Sequence, residues 1–187
     1  MPNANKVTAG KPAIGGAVYR APLGTTLPTS ASSALGGAFI DMGYVSEDGV
    51  TNSNTIESDN IKAWGGDTVL ALQTDKTDTF QMTLIESMNE NVLKAVFGNT
   101  NVTGTFATGI AVSVNATEQV EASWVIDMIY RGNAKHRIVI PNAKITDIGD
   151  VTYTDGDAVG FEITLTATPD SSQNTHYEYI VGAGSST

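Results

Sequence analysis

The sequence predicts a mainly β domain with one short flanking helix. Thr, Val, Ile and Ala are abundant throughout, and nineteen glycines against six prolines supply many turns. Several runs alternate apolar with polar residues, which is the period of a strand with one buried face. A single run has helical spacing instead.

Taken in order, residues 1–37 carry Lys6, Lys11 and Arg20 and no acid. Rich in Gly, Ala, Pro and Ser, this stretch reads as an extended N-terminal arm. Residues 38–45, with Phe39, Ile40, Met42 and Tyr44, form the first expected strand. From 46 to 67 the chain turns to Ser, Asn, Asp, Glu and Gly, with Val50, Ile56, Ile61 and Trp64 as the only anchors. A connection this long is a loop or flexible hairpin, and one of that length is usually functional or ordered by a partner. In Trp64-Gly65-Gly66-Asp67 a large aromatic precedes a tight turn, which suits either a local latch or docking into an adjacent subunit.

Residues 69–73 read as a short strand and 75–78 as a polar turn. In residues 79–85, Phe80, Met82 and Leu84 alternate with Thr79, Gln81 and Thr83. Ser87 and Glu90 have capping-box spacing, and Met88, Val92, Leu93, Val96 and Phe97 share one face before Gly98. A helix over about 88–97 is the result. Further strands are expected at 111–114, 122–130 and 135–140, the last two joined by a turn at 131–134. Residues 143–154 and 159–168 form another pair around Asp155-Gly156, and in the latter Val159, Phe161, Ile163, Leu165 and Ala167 alternate with Glu162, Thr164 and Thr166. The core domain is thus 38–168. Residues 169–187 form a C-terminal tail, in which Tyr177, Tyr179 and Val181 could add an edge strand.

Charge is distributed unevenly. The formal net charge is -10, with residues 41–90 alone holding ten carboxylates against Lys62 and Lys76. Such an acidic chain is ill suited to gripping nucleic acid through its phosphates. With no cysteine, disulfides, thiolate metal sites and Cys nucleophiles are excluded. His136 lies between Lys135 and Arg137 on an expected surface strand and His176 lies in the tail, so they offer neither a catalytic pair nor a metal spacing. The glycine-rich run 9–17 lacks the strand and helix of a phosphate cradle. Asn101-Val102-Thr103 and Asn115-Ala116-Thr117 match glycosylation acceptors, at a length that arises by chance. The first residues lack a hydrophobic signal core and no run is long enough to span a bilayer, so a soluble protein without an export signal is expected. The residues lead to no enzyme, cofactor or metal.

Three strings resemble one family. They are Gly16-Ala17-Val18-Tyr19-Arg20-Ala21-Pro22-Leu23-Gly24-Thr25 with Pro28, then Gly43-Tyr44-Val45-Ser46-Glu47-Asp48-Gly49-Val50, then Ile61-Lys62-Ala63-Trp64-Gly65-Gly66-Asp67. They continue into Glu86, Asn89, Val92, Leu93, Lys94, Val96, Phe97 and Gly98. Together they resemble the major tail tube proteins of bacteriophages with long, non-contractile tails.

This resemblance implies a β-sandwich or half-barrel with one flanking helix, and a structural virion protein without enzymatic activity or cofactor. Six copies would form a ring, and rings would stack into a tube through which double-stranded DNA passes without specific binding. It also implies assembly in the bacterial host cytoplasm, with tail initiator, terminator and tape-measure proteins as partners and no membrane. The early loop and the arm would reach neighbouring subunits, which makes Tyr19, Arg20, Pro22, Glu47, Asp48, Glu57, Asp59, Lys62 and Trp64 the interface candidates. Polar and acidic positions on non-core strand faces are candidates for the bore: Asp75, Asp78, Gln81, Thr83, Glu121 and Asp127. The rival readings are a capsid decoration or fibre subunit and a β-sandwich binding module.

Overall fold

The computed structural model describes residues 1–13 and 16–183. Ile14 and Gly15 of the glycine-rich run, and residues 184–187 of the tail, lie outside the described residues. The chain is mainly β, and nine of its strands form one open sheet. The strands are β1 (Lys11–Pro12), β2 (Val18–Pro22), β3 (Ile40–Asp41), β4 (Val45–Lys62) and β5 (Thr68–Leu84). After the helix α1 (Glu90–Phe97) come β6 (Val102–Thr105), β7 (Gly109–Val112), β8 (Ala122–Ile129), β9 (Lys135–Ile148), β10 (Phe161–Thr168) and β11 (Tyr177–Val181). The sheet order is β3-β2-β8-β9-β10-β5-β4, with β1 on β8, β11 on β9, and β6–β7 as a separate hairpin. This agrees with the sandwich or half-barrel class with one flanking helix.

One sheet face packs the main core. Trp124, Ile126, Ile140, Ile163, Leu165, Phe80, Met82 and Leu84 are buried there against Val92, Leu93 and Val96 of α1. Opposite them, Ala21, Phe39, Val125 and Val139 form a smaller cluster with Leu27, Leu35 and Tyr177 packed against it. The segment between β2 and β3 therefore covers that second face over β2, β8 and the first half of β9. Arg137 secures the cover: it chelates Asp127 at 2.6 and 2.7 Å and donates to the carbonyls of Ser30 and Ser33 at 3.0 and 2.8 Å. Residues 18–22, read from sequence as part of the arm, are thus a strand of the sheet, with Val18 fully buried.

Three expected breaks do not occur. The polar stretch 46–67 is mostly strand: β4 pairs antiparallel with β5 along a ribbon from Asn52↔Phe80 to Lys62↔Thr68. Its sequence lacks alternation because the described residues cover neither face of the ribbon. Nor is 75–78 a turn, since β5 runs straight through it and the irregularity there is a bulge between Glu57 and Ser58. Pro141 does not end β9 either. It sits at a register shift, where no ladder donor is required, and its carbonyl accepts from the Ser123 hydroxyl at 2.7 Å.

Other boundaries move. The first expected strand reduces to Ile40–Asp41, because Gly43 (φ 74°) turns the chain into β4. The positive φ favours glycine at position 43, and a Cβ there would also meet the Glu86 carboxylate at 2.1 Å and displace it. Glu86 in turn accepts from the Tyr44 amide at 3.0 Å and the Asn89 side chain at 2.8 Å. Asn89, not Ser87, caps α1 by accepting from the Asn91 amide. The strand β6 was not expected from sequence; it pairs with β7, near the expected strand at 111–114. The two asparagines of the glycosylation-like triplets bond to each other at 3.1 and 3.0 Å and close the base of this hairpin.

Candidate assembly surface

Strand parity sorts the residues of the sheet into two sets. Where Phe80, Met82 and Leu84 point into the core, Thr79, Gln81 and Thr83 point to the opposite face. Register places Glu162 beside Thr83, Thr164 beside Gln81 and Thr166 beside Thr79. On the other side of β10, Asp147, Lys144 and Asn142 stand opposite Thr164, Thr166 and Thr168. No buried apolar cluster lies over this half of the second face among the described residues. The result is a field of hydroxyl, amide and carboxylate groups tied together by side-chain bonds. Gln81 donates to Glu162, the Thr146 and Thr166 hydroxyls meet at 2.7 Å, and Thr168 donates to Glu121 at 3.5 Å. Lys144 is the cation of this field, and Glu118 engages its ammonium group. That contact lowers the Glu118 carboxyl below its usual value, first through the hydrogen bond and then through the lysine charge.

The bore candidates divide accordingly. Gln81, Thr83 and Glu121 lie on the uncovered field, and exposed Asp75 lies where β5 extends beyond it. Asp127 is held by Arg137 beneath the segment between β2 and β3. Asp78 lies on the core side and is buried. Its carboxylate accepts from Asn52 at 2.8 Å and Thr175 at 2.6 Å, and His176 Nδ1 lies 2.6 Å away. Burial alone would raise the Asp78 carboxyl. The donors from Thr175, His176 and Asn52, with the His176 charge, hold it below the ordinary value instead. It joins three elements at the root of the ribbon, so its work is internal. The Glu162, Thr164 and Thr166 row of β10 was absent from the candidates, although its alternation was visible. What sequence lacked was the register that sets β10 beside β5.

The interface candidates fall in three places. Glu47 and Asp48 are exposed in an excursion where β4 leaves its register between Val45 and Val50. Glu57, Asp59, Lys62 and Trp64 line the ribbon and its turn, all exposed, with Ile56, Ile61, Val69, Leu70 and Leu72 exposed beside them. Tyr19, Arg20 and Pro22 belong to β2. There Tyr19 packs on the smaller cluster, Arg20 lies 5.8 Å from the Trp124 ring centroid, and Pro22 is exposed. Burial lowers the Arg20 guanidinium from its ordinary value.

Residues 2–184 match the family described as phage tail tube protein. The chain belongs to that family. No curated protein matches it. Phage tail tube proteins are structural: copies assemble into the tube of the tail, which places this chain in the virion tail. No helix among the described residues is long and apolar enough to cross a membrane.

Proposed function

We propose that six copies of this chain close into a ring through their sheet edges, and that rings stack into a tube whose bore passes double-stranded DNA. The observation that supports this reading is the uncovered polar field of β5, β9 and β10, flanked by the free edge of β4. Turned inward, it gives a wall of hydroxyl and carboxylate groups in which Gln81, Thr83, Glu121 and Glu162 face the DNA. Fixed cations on such a wall would capture phosphate by counterion release. Here Glu118 offsets Lys144. At physiological salt the screening length is about 8 Å, so carboxylates repel the duplex only at close approach and leave a hydrated gap.

The interface candidates on β2, the β4 excursion and the ribbon then meet neighbouring copies within and between rings. Tail initiator, terminator and tape-measure proteins meet the ends and the interior. Electron cryomicroscopy of the native tail tests the arrangement. It should show six copies per ring, with Gln81 and Glu162 on the bore and α1 away from it. A bore lined by α1 and the β6–β7 hairpin would overturn the proposal.

A further inference from the structure

The strand β5 carries two unsatisfied apolar features, one near each end. Beyond Thr68, the ribbon turns at Gly65 (φ 115°) and Gly66 (φ 101°), and Trp64 stands there wholly in water. Beside Leu84, a groove of about 610 Å³ opens between α1, the β6–β7 hairpin and the loop that precedes β10. Leu93, Phe97, Phe106, Ile110, Tyr153 and Phe161 line it. Of these, Phe106 is 69% exposed and Tyr153 78% exposed, so the described residues leave the mouth of the groove unfilled.

From Thr68 to Leu84 an extended strand covers roughly 50 Å at about 3.3 Å per residue. Trp64 therefore cannot reach the groove of its own chain. A plug and a socket at opposite ends of one strand fit the same features of a copy displaced along that strand. Such a contact is heterologous, and between copies displaced along one axis without a closing rotation it propagates. An aromatic side chain of this size hides roughly 150–250 Å² when enclosed, which suits a groove of this volume.

We infer that the groove is the socket for the ribbon tip of a neighbouring copy, with Trp64 entering between Phe106 and Tyr153. This rests on the tube proposed above and adds which surface receives the ribbon. Charge sets the orientation. Lys62 lies two residues from Trp64, while the loop bearing Tyr153 carries Asp150, Asp155 and Asp157.

Because the chain has no cysteine, introduced thiols are the only ones present. Tubes of the Ala63→Cys/Thr154→Cys variant, which keeps Trp64 and Tyr153, should run as a covalent ladder on a denaturing gel after treatment with a short bismaleimide cross-linker. Ala63→Cys alone, or paired with Val7→Cys, should remain largely monomeric on the same gel. Tubes visible in micrographs that give no ladder from the first pair, or a ladder from the second, overturn the inference. Wild-type protein that never forms tubes overturns the tube reading instead, which is a different result. Should the double variant fail to assemble, Trp64→Ala copies keep the socket and Phe106→Glu copies keep the plug. Neither alone should form tubes, and the mixture should give stacks of two layers only. Long tubes from either variant alone would equally overturn the inference.

Discussion

The same two strands, β4 and β5, run through two regions that treat apolar side chains in opposite ways. In the body, Phe80, Met82 and Leu84 of β5 are 0–2% exposed. In the ribbon, Leu70 and Leu72 of the same strand are 48% and 47% exposed, and Trp64 at the turn is wholly so. Backbone pairing continues across both regions. What changes is the partner: β10 and α1 complete the body, while among the described residues the ribbon has only its own two strands. A two-stranded ribbon is at best marginally stable in water. The body thus folds as a unit, and the ribbon holds surface that identical copies can cover.

Removing a body side chain gives the largest expected effect. Trp124→Ala should lower unfolding stability by about 3–5 kcal/mol, because Trp124 is 1% exposed and the space it leaves cannot collapse fully. Urea unfolding of unassembled protein measures this, and a loss below 1 kcal/mol would blur the distinction between the two regions.

The junction between them comes next. Asp78→Asn should cost about 1–3 kcal/mol near neutral pH, since it weakens acceptance from Thr175, His176 and Asn52. The sign of its pH dependence follows from a folded-state carboxyl held below its ordinary value of 3.8. That contribution is complete above the unfolded-state value and is lost as pH falls through the folded-state one. The gap between wild type and Asp78→Asn in urea stability should therefore begin to narrow as pH falls below about 4 and close only below the folded-state value. A constant gap from pH 7 down to pH 3 would assign the effect to packing instead.

How much of this was legible in the sequence follows the same division. Where a strand buries one face, as at 79–85, 122–130 and 159–168, alternation revealed it to within a residue or two. Where β4 and β5 leave the body, no face is covered and the polar residues looked like a loop and a turn. Asp78 was misplaced for a related reason: it lies on the core side, and only its three partners, distant in sequence, allow a carboxylate there. Pro141-Asn142 resembled a break because the register shift that accommodates it depends on β8. The polar field needed the register of three strands, although its β10 row was visible as a pattern.

A smaller effect is expected at the cover of the second sheet face. Arg137→Lys keeps the charge but cannot chelate Asp127 while also donating to Ser30 and Ser33. Amide hydrogen exchange should quicken in residues 23–39 while β10 remains protected. Uniform quickening would show that this cover is part of the body's cooperative unit.

The smallest expected change in stability is at the ribbon tip, where the comparison is sharpest. Trp64→Ala removes the same type of side chain as Trp124→Ala, yet it should alter the stability of the unassembled chain by no more than about 0.5 kcal/mol, because Trp64 is already in water. Assembly separates the two further. The chain has two tryptophans, and Trp124 is enclosed in both states, so a blue shift of fluorescence on polymerisation reports on Trp64. Wild type should show that shift, whereas a tube whose emission stays red would mean that the tip remains in solvent. A shortened ribbon, with Ser58–Gln73 replaced by an Asn-Gly turn, should likewise keep the Asp78 bonds and the folded body while losing tubes. If tubes persisted, the axial contact would have to come from the body alone, and the exposed apolar residues of the ribbon would need another partner.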